Sequence, residues 1–234
     1  MIWGVRYIGG MTHRAIWHHK IWLVAELLLL FAVLPVVLSY FSLKGVLFVT
    51  LWLLAIGCLI VWVKQTGGSL KSLVAFHHFS KERWKPMLLR FACCAAGMAL
   101  FTATHDEGRL LQLPIEKPKL WMMIMLLYPI LSVFPQEIIY RVFFFDRYAT
   151  LFVNQRHMIF ASAFAFGHAH FMFNNWVAYF MSIIGGLIFA DTYARTRSLP
   201  LVWLEHALFG CFVFTIGLGW YFYTGSAHLH VNGG

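Results

Sequence analysis

The residues best able to do chemistry lie in a stretch that is otherwise mostly apolar: Phe134-Pro135-Gln136-Glu137-Ile138-Ile139-Tyr140-Arg141. Glu137 and Arg141 are four residues apart, so on a helix they share a face and can form a charge-assisted pair. An ionisable group near the centre of a bilayer costs on the order of a few kcal/mol, so an acid held there needs a reason. One reason is a structural ion pair that pins two helices together. The other is catalysis, and two later apolar segments carry the partners it would need, His170 and His206. A carboxylate working with an imidazole is suited to general acid–base transfer to and from water.

The elements that must position these residues are membrane helices. The 234 residues are 61% hydrophobic and 12% charged, about half the charged fraction of a soluble domain. Several apolar runs approach the length that crosses a bilayer. The composition therefore describes an all-α, polytopic helix bundle with about seven (six to eight) spans, at about 21–41, 45–63, 84–104, 120–145, 158–175, 176–194 and 200–223. Pro35 and Pro129 fall inside spans and are expected to kink them. Residues 1–119 hold three spans without a motif, 120–223 hold the candidate chemistry, and 224–234 form a short tail within one membrane domain. Met1 to Lys20 reads as a cytoplasmic lead-in to the first span, and 70–79 as a short interfacial helix. Cys58, Cys93, Cys94 and Cys211 lie in apolar runs without C-x-x-C spacing and read as small buried hydrophobes.

The net charge of +9 speaks to orientation and anionic lipid rather than to nucleic acid, since no basic patch is interleaved with polar recognition residues. With the N-terminus inside, the inner segments hold 12 Lys and Arg, the outer ones 4, and Arg90 and Arg141 lie within spans. That split favours a cytoplasmic N-terminus. It also places Glu137, His170 and His206 at roughly 12, 18 and 9 Å from the inner side, a single slab of the membrane.

Not every candidate can face one site. His168 and His170 are about 200° apart on a helix, and a zinc site built from such a pair needs a strand or loop. Neither H-E-x-x-H, G-x-S-x-G nor a P-loop occurs. Glu205, next to His206, reads as a second acid or as an interhelical partner, and Asp191 as a partner of Arg195 at i+4. A proton-relay transporter would need polar groups continuing outward, and above His170 only Asn174, Asn175 and the Ser182 region supply them.

Taken in order, Gln136-Glu137-Ile138-Ile139-Tyr140-Arg141, Phe166-Gly167-His168-Ala169-His170 and His206-Ala207-Leu208-Phe209-Gly210 resemble the CPBP family of intramembrane proteases, also called the CAAX-protease or abortive-infection (Abi) family. Its pattern is E-E-x-x-x-R, F-x-x-x-H and H-x-x-x-N on successive membrane helices. Gly185-Gly186-Leu187 and the turn Thr196-Arg197-Ser198-Leu199 are similar to its small-residue helix and T-x-S-L turn. The likeness spans about 120–215.

The resemblance implies hydrolysis of a peptide bond in a membrane-anchored peptide or protein, in a bacterial cytoplasmic (inner) membrane, with the lipid bilayer as the other partner. It implies Glu137 as the acid, His170 as its partner in water activation, His206 as oxyanion or substrate donor, and Arg141 as counter-ion. It assigns no certain cofactor, and a divalent metal is left open. Gln136 stands where the family has its first glutamate, and a side-chain amide does not take a proton at neutral pH. Gly210 stands where the family has asparagine. Glu137 as base and Asn174 as amide donor would restore the missing groups. A binding, adaptor or immunity protein of the same fold is the alternative that these two departures favour.

Overall fold

The computed structural model describes residues 13–40, 47–73 and 81–222. Local sequence sets the helix ends. Asn154, Asn175 and Ser198 adopt extended backbone and accept N–H groups of the following turn with their side chains, as N-cap residues do. Asn174 and Arg197 take left-handed backbone, φ 51° in each case, and stop the helices before those caps. The segment Thr196-Arg197-Ser198-Leu199-Pro200 is thus a stop, a cap and a proline at the start of the next helix.

Among the described residues, seven long helices result. They are α1 (His13 to Tyr40), α2 (Leu47–Thr66), α3 (Lys81–His105), α4 (Pro118 to Arg147), α5 (Gln155–Ala169), α6 (Trp176–Thr196) and α7 (Leu199–Thr215). Among the described residues, five are long and apolar enough to cross a membrane, namely α1, α2, α3, α4 and α6. At 1.5 Å per residue, α5 and α7 reach only about 23 and 26 Å, below the roughly 30 Å of hydrocarbon. Each is prolonged by a tighter turn, at His170–Phe173 and Leu218–Phe222. Of the expected interfacial helix, Leu70–Leu73 is helical, whereas 74–80 lie outside the described residues, as do most of the N-terminal lead-in and the C-terminal tail.

Single wide π turns interrupt α1 at Leu29–Val33 and α4 at Pro129–Val133 and Ile138–Phe143. The first two lie beside prolines, which remove a helical N–H and crowd the preceding turn. Pro135 leaves the Leu131 carbonyl without its usual donor, and Trp52 of α2 supplies one at 3.0 Å.

α4 lies at the centre, packed against α2, α5 and α7. Its second half, Ile138 to Phe145, is buried throughout. Phe31 of α1 meets Tyr140, Phe144 and Tyr148 edge to face. On the outside, large apolar side chains such as Leu53, Leu89, Leu126 and Phe160 are exposed, as lipid contact requires. The helix ends expected on the inner side gather at one end of the bundle. There Trp62 and Arg197 both bond Asp146, Arg83 bonds the Thr196 carbonyl and Gln155 the Ala194 carbonyl. Among the described residues no disulfide is present. Cys58 is buried as expected, but Cys93 is exposed on α3 within an apolar span.

The tightest helix pair is α5 with α6. A Cβ at Gly167 would fall inside the Ile183 side chain and 3.2 Å from its Cα, and one at Gly186 would lie 3.0 Å from the Ala163 backbone. Gly167→Val is expected to force these backbones apart and to cost about 1–3 kcal/mol. The fall should appear as a lower Tm in detergent, and an unchanged Tm would contradict this contact.

Candidate active site

The π turn that follows Glu137 places its carboxylate and Arg141 inside the bundle, both fully buried. Glu137 Oε2 lies 3.3 Å from Arg141 Nε. That is an ion-pair distance, but the N–H is poorly aimed, and neither atom has a hydrogen-bond partner. Arg141 is fixed instead by Nη1, which donates to Ser162 Oγ at 2.8 Å and to the Tyr140 carbonyl at 3.2 Å. Its guanidinium also lies over the Phe166 ring, 5.2 Å from the centroid. Ser162 completes the loop by donating to the Tyr140 carbonyl at 2.7 Å. The spacing of Glu137 and Arg141 announced their pair. Ser162 is not legible from the sequence, because a lone serine in an apolar helix carries no signal.

The other carboxylate oxygen reaches across the bundle. His206 Nδ1 lies 2.7 Å from Glu137 Oε1, and its ring stacks on Phe189 at 4.4 Å. With Nδ1–H donating to the carboxylate, Nε2 keeps its lone pair. His170, the first residue beyond α5, donates Nδ1–H to the Phe166 carbonyl at 2.8 Å, which likewise leaves its Nε2 as an acceptor. Phe166 touches both imidazoles, at 4.7 and 5.3 Å between ring centres.

Both histidines line a cavity of about 910 Å³ with mostly apolar walls drawn from six of the seven long helices. Gln136 lines the same cavity. Its Nε2 donates to Ser132 Oγ at 2.8 Å, and its Oε1 is buried without a partner. Glu137 stands behind the wall rather than in it. The acid therefore addresses His206, not His170 as the resemblance implied.

The remaining candidates fall elsewhere. His168 turns away, with Nε2 3.2 Å from the Ala32 carbonyl of α1. Glu205 pairs with Arg90 of α3, which also bonds Thr192 and Asp191, so it is an interhelical partner. Asp191 holds Arg195 at 2.8 Å, the expected i+4 pair. Asn174 is exposed and outside the cavity. It shares a face with His170 only if α5 continues, and α5 stops at Ala169, so it is not placed to supply the missing amide. Among the described residues no three His, Cys, Asp or Glu side chains group closely enough to hold a metal ion.

Fold and site together define a membrane helix bundle in which an arginine-backed glutamate holds a histidine at the wall of a large apolar cavity. Residues 118–212 match the family model described as type II CAAX prenyl endopeptidase Rce1-like. The matched stretch runs from the start of α4 into α7 and contains Gln136, Glu137, Arg141, His170 and His206. The likeness to the CAAX-protease family is therefore shown over this part of the chain, and at family level it supports an intramembrane endopeptidase. Comparison with curated proteins and with solved structures returned no match.

Proposed function

We propose that the protein hydrolyses a peptide bond of a membrane-associated polypeptide, with His206 as the base that activates water. The observation that carries this reading is the 2.7 Å contact between His206 Nδ1 and Glu137 Oε1 behind the cavity wall. A carboxylate on Nδ1 fixes the tautomer and orientation of the ring and stabilises the imidazolium that forms when Nε2 takes a proton. Arg141 holds the carboxylate in place. His170, with its Nε2 acceptor on the same cavity, orients the water.

In the reaction, Nε2 of His206 removes a proton from water as the oxygen bonds the carbonyl carbon. The tetrahedral intermediate then collapses, the C–N bond breaks, and the imidazolium protonates the departing amine. The products are a carboxylic acid, which then loses its proton to solvent, and an amine, and the base is restored. An apolar cavity suits a substrate that enters from lipid, because the desolvated site strengthens each of these electrostatic contacts. The clustering of basic helix ends at one end of the bundle supports a cytoplasmic N-terminus.

Glu137→Gln keeps the side chain's size while removing its charge. Cleavage of a membrane-inserted reporter peptide by the reconstituted variant is expected to fall about 10²–10⁴-fold. Full activity would remove Glu137 from the mechanism. A second reading, a membrane protein that binds peptides without cutting them, is favoured by Gln136, whose amide lines the cavity where the resemblance expects a carboxylate. On that reading the native protein binds the reporter intact, and only Gln136→Glu begins to cleave it.

A further inference from the structure

Hydrolysis through a tetrahedral intermediate needs a hydrogen-bond donor aimed at the developing oxyanion, and few groups on this cavity can give one. Both imidazoles spend their N–H groups away from it, on Glu137 and on the Phe166 carbonyl. Gln136 spends an amide N–H on Ser132. Tyr128 of α4 is different, because its hydroxyl lines the cavity 3.4 Å from His206 Nε2.

Its position follows from Gly210. Gly210 is one turn beyond His206 and also lines the cavity. A Cβ there would lie 2.6 Å from Tyr128 Cζ and closer still to Cε1 and the hydroxyl. The phenol ring therefore occupies the volume that any side chain at 210 would need. The ring is held edge to face by Phe214, 5.4 Å away. The backbone beside it is tied to α7, since Trp203 Nε1 donates to the Pro129 carbonyl at 2.7 Å. About two turns earlier, Trp121 Nε1 donates to Thr215 Oγ1 at 3.0 Å. Tyr128 is thus fixed from both sides before substrate arrives, which is what makes a donor effective in a transition state.

We propose that Tyr128 is a catalytic residue of this site: its hydroxyl donates a hydrogen bond to the oxyanion from the space that Gly210 leaves open. Before substrate binds, the hydroxyl points to His206 Nε2. When water takes that place beside Nε2, the O–H turns to the carbonyl oxygen, and no proton is transferred through it. This inference rests on the hydrolase reading proposed above.

The test uses the full chain in liposomes with a quenched fluorescent peptide carrying a membrane-inserting segment. Tyr128→Phe keeps the ring in the Gly210 space and removes only the donor. We expect kcat to fall about 10²–10³-fold with KM nearly unchanged. Gly210→Asn alone lacks room and should lower the Tm, whereas Gly210→Asn combined with Tyr128→Ala should recover activity that Tyr128→Ala alone has lost. A Phe variant with native kcat, or one that changes KM only, would overturn the role of Tyr128 while native cleavage and its dependence on His206 leave the hydrolase reading standing. A native protein that cleaves nothing would remove the hydrolase reading, and this inference with it.

Discussion

His206→Ala is expected to lower peptide cleavage by the reconstituted protein about 10⁴-fold, at the upper end of what one acid–base group contributes. The size of the effect follows from position. His206 presents one nitrogen to the buried carboxylate and the other to the cavity, so in the proposed reaction its removal ends both proton abstraction and protonation of the leaving amine. His170→Ala should cost less, because its fixed N–H serves a backbone carbonyl and the role proposed for it is only to orient water. The expected order is therefore His206→Ala below His170→Ala below native, measured as initial rate on one reporter peptide. Equal losses would mean that the two histidines share proton transfer. A fully active His206→Ala would place the chemistry elsewhere.

The largest stability effect is expected at Arg141. Replacing it with methionine keeps much of its volume but leaves the Glu137 carboxylate at 0% exposure without its cation. Breaking a buried pair from one side typically costs about 3–5 kcal/mol, since the remaining charge has lost its cation and has no water, here keeping only the His206 N–H. The double variant Arg141→Met with Glu137→Gln should recover a large part of that loss, because an uncharged amide no longer demands compensation. Thermal unfolding in detergent of the two single variants and the double variant forms a cycle that reads this coupling directly. Additive changes would show that Arg141 acts through Ser162 and the Tyr140 carbonyl alone.

Hydropathy made the seven helices legible, because the bilayer forces backbone hydrogen bonds to close within each segment and so writes helices as apolar runs. It did not foresee that α5 and α7 are short. Their limits are set by turn chemistry, Asn174 with Asn175 and the Ile216-Gly217 turn, which an average over many residues smooths away. The same smoothing produced the expectation about Asn174: a helical face was extended one turn past the point where the helix stops. The two adjacent asparagines were a usable signal, since one favours left-handed backbone and the next caps a helix.

Within the site, local spacing revealed the pair of Glu137 with Arg141 and the opposition of His168 to His170. Contacts between distant parts of the chain were less accessible. Glu137 and His206 are 69 residues apart, and their placement in one membrane slab suggested proximity but not which imidazole the acid would choose. Tyr128 carried no signal of its own, as tyrosine in an apolar run is ordinary. The signal lay at Gly210, where a missing side chain implies a neighbour that fills its place.

The bundle is proposed to cut peptide bonds with water. The most direct measurement is product mass after incubating the reconstituted protein with a membrane-inserted peptide in heavy-oxygen water. A single heavy oxygen in the new C-terminal carboxylate of the native product, absent from the His206→Ala sample, is the predicted result. Peptide recovered intact but retained by the native protein would contradict hydrolysis and make the cavity a binding site.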